Sequence, residues 1–263
     1  NLRRINTLSL IVHDFDGDGV DDVAYNKYQY GNEHREIVQA QNGSVILSLS
    51  SNDTPSMPFS LNYPFRSYSV LADLHRDGKK EMIFLLLGQH DKYIYVIDLN
   101  GNVMPGWPQA VPHCSASLFL PSPVVGNFDS DDDLEILYYG GSEDACARNR
   151  SRLWGKAYIF DANGSVLPGW PVYVNASYTF ATPSAADLNR DGIDEVVLPS
   201  GALHVFNSTG QEIEGWPQLA GRQFMATAAV GDMDGDGSPE IIASQLAENY
   251  NGTYYYPVYA FHA

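Results

Sequence analysis

His13 to Asp22 reads HDFDGDGVDD, five aspartates in ten residues with two glycines among them. A solvated acidic run is the simplest explanation, because like charges at this density repel and usually stay disordered. The spacing argues against it. Acids stand at Asp14, Asp16 and Asp18, a glycine follows at Gly19, and Asp22 closes a D-x-D-x-D-G-x-x-D pattern. A hard cation such as Ca2+ asks for this ligand set, several oxygens carried on a tightly turning backbone. Glycine at the sixth position supplies the positive φ that such a turn needs.

The pattern recurs four times. Counting each first ligand as position 1, the copies begin at Asp73 (ADLHRDGKKEM), Asn127 (GNFDSDDDLEI), Asp187 (ADLNRDGIDEV) and Asp232 (GDMDGDGSPEI). Position 2 is always apolar (Phe15, Leu74, Phe128, Leu188, Met233), as is position 10 (Val23, Met82, Ile136, Val196, Ile241). Both flanks of each loop are therefore expected in a core. An EF-hand loop starts the same way but closes with Glu at position 12 between two helices. Here position 12 is Tyr25, Phe84, Tyr138, Leu198 or Ala243, and the closing acid is at position 9. The following runs, such as EMIFLLLG and DEVVLPSG, are short, apolar and rich in β-branched and aromatic residues, which reads as buried strand.

The copies are 59, 54, 60 and 45 residues apart. After the buried strand comes a second strand closed by a turn (YIYVIDLNG, AYIFDANG, LHVFNSTG), then VMPGWPQ, VLPGWPV or EIEGWPQ. Three or four short strands per unit, no helical pattern and a period of roughly 40 to 60 residues describe a β-propeller blade. The expected fold is all-β, a single domain over residues 1–263 of four-stranded antiparallel blades, with repeats starting near residues 8, 67, 121, 181 and 226. Residues 1–7 are long enough to supply the last strand of the fifth unit, so the ring is expected to close with five blades. A part of a six- to eight-bladed ring is the alternative.

On these five loops the chain resembles the FG-GAP or VCBS repeats of the integrin α-subunit propeller and its microbial relatives. The resemblance implies a Ca2+ ion in each loop, up to five in all, held by side chains at positions 1, 3, 5 and 9 and the main-chain carbonyl at position 7. Carried over, the first loop would use Asp14, Asp16, Asp18, Asp22 and the carbonyl of Val20, and the second Asp73, His75, Asp77, Glu81 and Lys79. The third would use Asn127, Asp129, Asp131, Glu135 and Asp133, and the fourth Asp187, Asn189, Asp191, Glu195 and Ile193. The fifth would use Asp232, Asp234, Asp236, Glu240 and Ser238. His75 departs from the pattern, since a hard cation disfavours imidazole, so the second site is expected to be weak or bridged by water. Asp132 replaces the glycine of the third loop, which is expected to strain the loop or shift its turn.

The formal charge is -17 at pH 7. Five divalent ions would leave about -7, ordinary for a soluble surface. The remaining negative sign argues against nucleic-acid or anionic-membrane partners. The longest apolar run, Met82 to Leu87, is far too short to cross a bilayer, so no direct membrane insertion is expected. Asn-x-Ser/Thr sequons at Asn42, Asn52, Asn149, Asn163, Asn175, Asn207 and Asn251 are expected glycan acceptors in an extracellular or cell-surface protein. Many Ca2+ loops fit the same compartment, where the ion is abundant. Cys114 and Cys146, both in the third repeat, form either a disulfide or two buried thiols.

No G-x-S-x-G, H-E-x-x-H, C-x-x-C or phosphate-binding glycine loop occurs, and no catalytic residue is assigned. The acids are committed to the loops, and the six histidines outside them are scattered singly. Trp107, Trp170 and Trp216 would either stack on sugars or pack between blades, and packing is preferred for a repeated tryptophan at a strand end. The non-repeated, tyrosine-rich stretches YNKYQY and ENYNGTYYYP are expected to be irregular recognition loops. The main expectation is a non-catalytic binding or adhesion module whose loops contact a protein or glycan. One alternative is a structural subunit of a filament or surface layer, assembled through a terminal strand. The other is the propeller of a secreted polysaccharide-degrading enzyme, for instance a lyase, because fold alone does not choose between them.

Overall fold

The computed structural model describes residues 10–29, 32–38, 44–50, 69–87, 91–112, 121–141, 154–175, 181–219, 224, 226–245, 248–251 and 253–262. Every regular element among them is a β-strand, and all pairings are antiparallel. The first sheet runs in order through β1 (Leu10–His13), β2 (Asp22–Gln29), β3 (Asn32–Val38) and β4 (Val45–Ser50). The second comprises β5 (Val70–Ala72), β6 (Glu81–Leu87), β7 (Asp91–Ile97) and β8 (Gln109–Pro112). The third comprises β9 (Val124–Gly126), β10 (Glu135–Gly141), β11 (Trp154–Phe160) and β12 (Val172–Asn175). The fourth has three strands, β13 (Ser184–Ala186), β14 (Glu195–Pro199) and β15 (Leu203–Phe206). In the fifth, β16 (Ala229–Gly231) and β17 (Glu240–Ser244) are followed by a separate hairpin, β18 (Glu248–Tyr250) and β19 (Thr253–Tyr255), before β20 (Val258–His262) pairs with β17. Four strands in every unit is thus too many for the fourth and fifth sheets among the described residues.

Strand periodicity explains the packing. Successive side chains on a strand point to opposite faces, so a continuous apolar run buries both faces at once. In β10, Ile136 and Tyr138 join Ile83, Leu85 and Ile94 of the second sheet, while Leu137 and Tyr139 join Val196 and Leu198 of the fourth. The same alternation in β6 sends Met82 and Phe84 to the first sheet, beside Phe15 and Ala24, and in β14 sends Val197 to the fifth, beside Ile241 and Ala243. Each sheet therefore stacks face to face on the next in chain order. β9 lies beside β5 and β13, and β13 also beside β16, which puts the first strands of the second to fifth sheets next to one another.

The Gly-Trp-Pro segments lock neighbouring sheets together. Trp107 donates from Nε1 to the carbonyl of Ala162 in the third sheet (2.8 Å), and Trp170 donates to Ser208 in the fourth (2.8 Å). Both indoles are 7% exposed, so they pack rather than offer a face to a sugar. Gly106, at φ +84, lies so close to the turn of the next sheet that a Cβ would overlap the carbonyl of Asn163.

The end sheets differ. Leu10 and Val12 of β1 are each 60% exposed, and Met233 and Val258 of the fifth sheet 66%. Met233 is the apolar position-2 anchor of its loop. Its four counterparts pack against a following sheet, and among the described residues nothing follows the fifth. Among the described residues these outer faces are left uncovered. Residues 1–7, expected to close the ring, lie outside the described residues, as do Cys114, Cys146 and the sequons Asn42, Asn52 and Asn149. Asn163, Asn207 and Asn251 sit at turns and Asn175 ends β12; all but the half-buried Asn207 are exposed. No helix of the described residues is long and apolar enough to cross a membrane.

Candidate metal centres

Each of the five acidic loops joins the first strand of a sheet to the second. Each is closed in the same way, by the position-9 carboxylate accepting a hydrogen bond from the position-2 backbone N–H. Phe15 donates to Asp22 (3.1 Å), Leu74 to Glu81 (2.9 Å), Leu188 to Glu195 (2.8 Å) and Met233 to Glu240 (2.7 Å), and Phe128 donates to Glu135. The position-9 acids are buried, at 0 to 5% exposure. A second constant bond runs from the position-7 N–H to the position-5 carboxylate, at 2.7 to 2.8 Å, in Val20, Lys79, Asp133, Ile193 and Ser238. These Asx-type turns hold the carboxylates on one side of the loop.

In four loops the position-6 glycine donates its N–H to the position-1 carboxylate, Gly19 to Asp14, Gly78 to Asp73, Gly192 to Asp187 and Gly237 to Asp232. Position 4 also takes positive φ there, as Gly17 and Gly235 but also as Arg76 (φ 48) and Arg190 (φ 64). The sequence reading found only the sixth position. The third loop, with Ser130 and Asp132 at these two places, has neither positive φ. Its turn is shifted rather than strained, and Asn127 leaves the loop. The Asn127 amide donates to the carbonyl of Gly192 in the fourth loop (2.6 Å), and its oxygen accepts from Arg76 of the second (3.4 Å).

Three loops gather ligand atoms within 4.8 Å of one another: Asp14, Asp16 and Asp22 in the first, Asp129, Asp131 and Glu135 in the third, and Asp232, Asp234 and Asp236 in the fifth. A second group in the fifth loop combines Asp234 and Glu240 with His262 of β20, a residue the sequence reading set aside as a lone histidine. Among the described residues no such group forms in the second and fourth loops. His75 turns from its own loop to Asp133 of the third (3.0 Å), and the Asn189 amide donates to the second oxygen of Glu195 (3.0 Å). Thus Asn127 and His75, two residues expected as ligands, bridge between loops instead.

The donor chemistry suits a hard cation in the first and third loops. Glu135 is fully buried, yet its Oε1 has no hydrogen-bond partner, and burial pushes its carboxyl up to about 7. Such an oxygen is costly unless something cationic faces it. Burial also raises Glu81 and Glu195.

No protein-family model and no curated protein matches the chain. The resemblance to FG-GAP repeats therefore rests on the five loops. Solved structures do match the fold. Rhamnogalacturonan lyase YesW aligns at TM-score 0.57 with 14% identity over 96% of this chain and 48% of its own. The rhamnogalacturonan lyase of Bacillus licheniformis aligns at 0.54 with 16% identity over 98% and 51%. The biofilm matrix protein Bap1 of V. cholerae aligns at 0.53 with 18% identity over 89% and 34%. At these identities the likeness is one of fold. The chain spans between about a third and a half of the length of these proteins.

Proposed function

We propose that this chain is an extracellular, calcium-stabilised β-propeller of the FG-GAP type, or part of a larger ring of such blades, that serves as a non-catalytic binding or adhesion module. Sheets stacked face to face in chain order, with first strands side by side, support the propeller. The gathered carboxylates and the orphaned oxygen of Glu135 support the cation, with Asp14, Asp16 and Asp22 and then Asp129, Asp131 and Glu135 as the holding residues. Bound Ca2+ supplies charge neutralisation and a fixed loop geometry.

The observation that carries the binding role is the hairpin of β18 and β19. Among the described residues it pairs only with itself, and Tyr255 at its end and Tyr256 just after it are 55% and 68% exposed. Exposed tyrosines are favoured contact residues. The hairpin replaces the irregular loop expected at ENYNGTYYYP, and most of YNKYQY is likewise part of β2. The test is a screen of the glycosylated chain on glycan and matrix-protein arrays beside a variant with residues 246–257 replaced by a short turn. Binding by the parent that the variant loses supports the module. Calcium-dependent release of unsaturated sugars from rhamnogalacturonan would establish the enzyme reading instead.

Self-assembly is the second reading, favoured by the uncovered apolar faces of β1 and the fifth sheet. Light scattering over a range of concentrations separates a discrete monomer from a growing oligomer.

A further inference from the structure

His262 occupies a place in the fifth sheet that other repeats fill differently. It stands directly across from Glu240 in the β17–β20 ladder. The corresponding cross-strand partners in the second to fourth sheets are Asp98, Asp161 and Asn207, one step beyond the paired strands. Each of those side chains is tied into its own turn, Asp98 accepting from Asn100 and Asn102, Asp161 from Asn163, and Asn207 from Thr209 and Gln211. The imidazole of His262 instead turns to the acidic loop. Its Nδ1 lies 3.1 Å from Oε1 of Glu240, and with Asp234 the three form a group within 4.8 Å. The Glu240 side chain is 7% exposed, and its Oε1 takes no hydrogen bond, so the contact with His262 has proximity without hydrogen-bond geometry.

We propose that Asp234, Glu240 and His262 form a mixed nitrogen and oxygen site for a borderline divalent ion of the Zn2+ class, distinct in preference from the all-oxygen loops. This deepens, and rests on, the reading of the acidic loops as cation sites. Imidazole suits zinc and its neighbours and is a poor ligand for calcium. Ligands about 2.0 to 2.1 Å from a tetrahedral zinc stand about 3.3 Å apart, close to the observed separation of His262 and Glu240. Three protein ligands leave a fourth position for water. A metal ion would also satisfy the orphaned oxygen of Glu240, which a histidine misaligned for hydrogen bonding does not.

The test is calorimetric titration of the intact chain with Zn2+ in excess Ca2+, paired with the visible spectrum of bound Co2+. The variant is His262→Asn, which installs the asparagine that the fourth repeat carries and spares the buried Glu240. One equivalent of Zn2+ that Ca2+ does not displace, weakened at least tenfold by His262→Asn, together with an intense tetrahedral Co2+ spectrum that the variant loses, is the expected result. Equal zinc binding by both chains, no zinc binding, or displacement of zinc by equimolar Ca2+ overturns the proposal. The calcium reading is judged separately, by Ca2+ heat in the His262→Asn chain. Its absence sinks calcium at the oxygen loops even where zinc binds, and its presence leaves the zinc result to stand or fall alone.

Discussion

Nδ1 of His75 lies 3.0 Å from Oδ2 of Asp133, and this pair ties the second acidic loop to the third. The two side chains are about one-third exposed, so the pair itself contributes little. Its larger effect is to remove a would-be ligand from the second loop. His75→Asp is expected to tighten calcium binding there about tenfold, because an oxygen donor replaces imidazole. Without calcium the same change sets a carboxylate against Asp133, so the variant should melt below the parent in EDTA and at or above it in Ca2+. Melting curves in both buffers, with a calcium titration, check this.

Calcium removal should act on the whole chain, since several loops would be left with three carboxylates and no counter-ion. A marked fall in melting temperature in excess EDTA is expected, and an unchanged curve rules out resident calcium.

The pH dependence follows from Glu135, which burial raises from 4.5 to about 7. In the metal-free protein its proton favours the folded state, so this stability is fully present below about pH 4.5 and is lost as pH rises through about 7. The loss is at most about 3 kcal/mol. Burial shifts Glu81 and Glu195 in the same direction and adds to the slope. Melting in EDTA is therefore expected to weaken from pH 4.5 to 7, less so in Glu135→Gln. Calcium binding over the same range is expected to release protons and to strengthen with pH until it levels off above 7. Calorimetry in buffers of different ionisation heat measures the release.

Two glycines with the same backbone conformation should respond differently. Gly106 and Gly215 have φ of +84 and +90, but only at Gly106 would a methyl group overlap a neighbour, the carbonyl of Asn163. Gly215→Ala is expected to cost about 1 kcal/mol for the left-handed conformation, and Gly106→Ala about 2–4 kcal/mol because two sheets must also separate. Urea denaturation distinguishes them.

Trp170→Phe keeps most of the apolar contact with Phe206 but removes the Nε1 donor to Ser208, a loss of about 1–2 kcal/mol. Trp216 meets Phe261 at 5.5 Å in the less covered outer sheet, and its Phe variant should lose less. Denaturation midpoints of the two variants check the order.

The sequence by itself determined the repeat, the acidic loops and the buried strand that follows each, because these are local, whereas the strand count of the fourth and fifth sheets and the strands in YNKYQY and ENYNGTYYYP were not read from it. Position 1 is bonded to position 6 in four loops, and positions 5 and 9 make their bonds in all five, each spanning two to seven residues, while the apolar runs of β6, β10 and β14 need only period-two geometry to bury both faces. Tertiary structure decided what depends on the neighbouring repeat. Asn127 and His75 look like ligands in their own loops, yet across the sheet boundary Gly192 and Asp133 offer them partners, and no spacing within a repeat encodes that choice. Glu240 and His262 are far apart in sequence and meet because β20, after an inserted hairpin, returns to pair with β17 in a register that sets them opposite one another. Short-range hydrogen bonding wrote the loops, whereas long-range strand pairing and sheet stacking chose which of their side chains gather inside a loop and which turn to a neighbour.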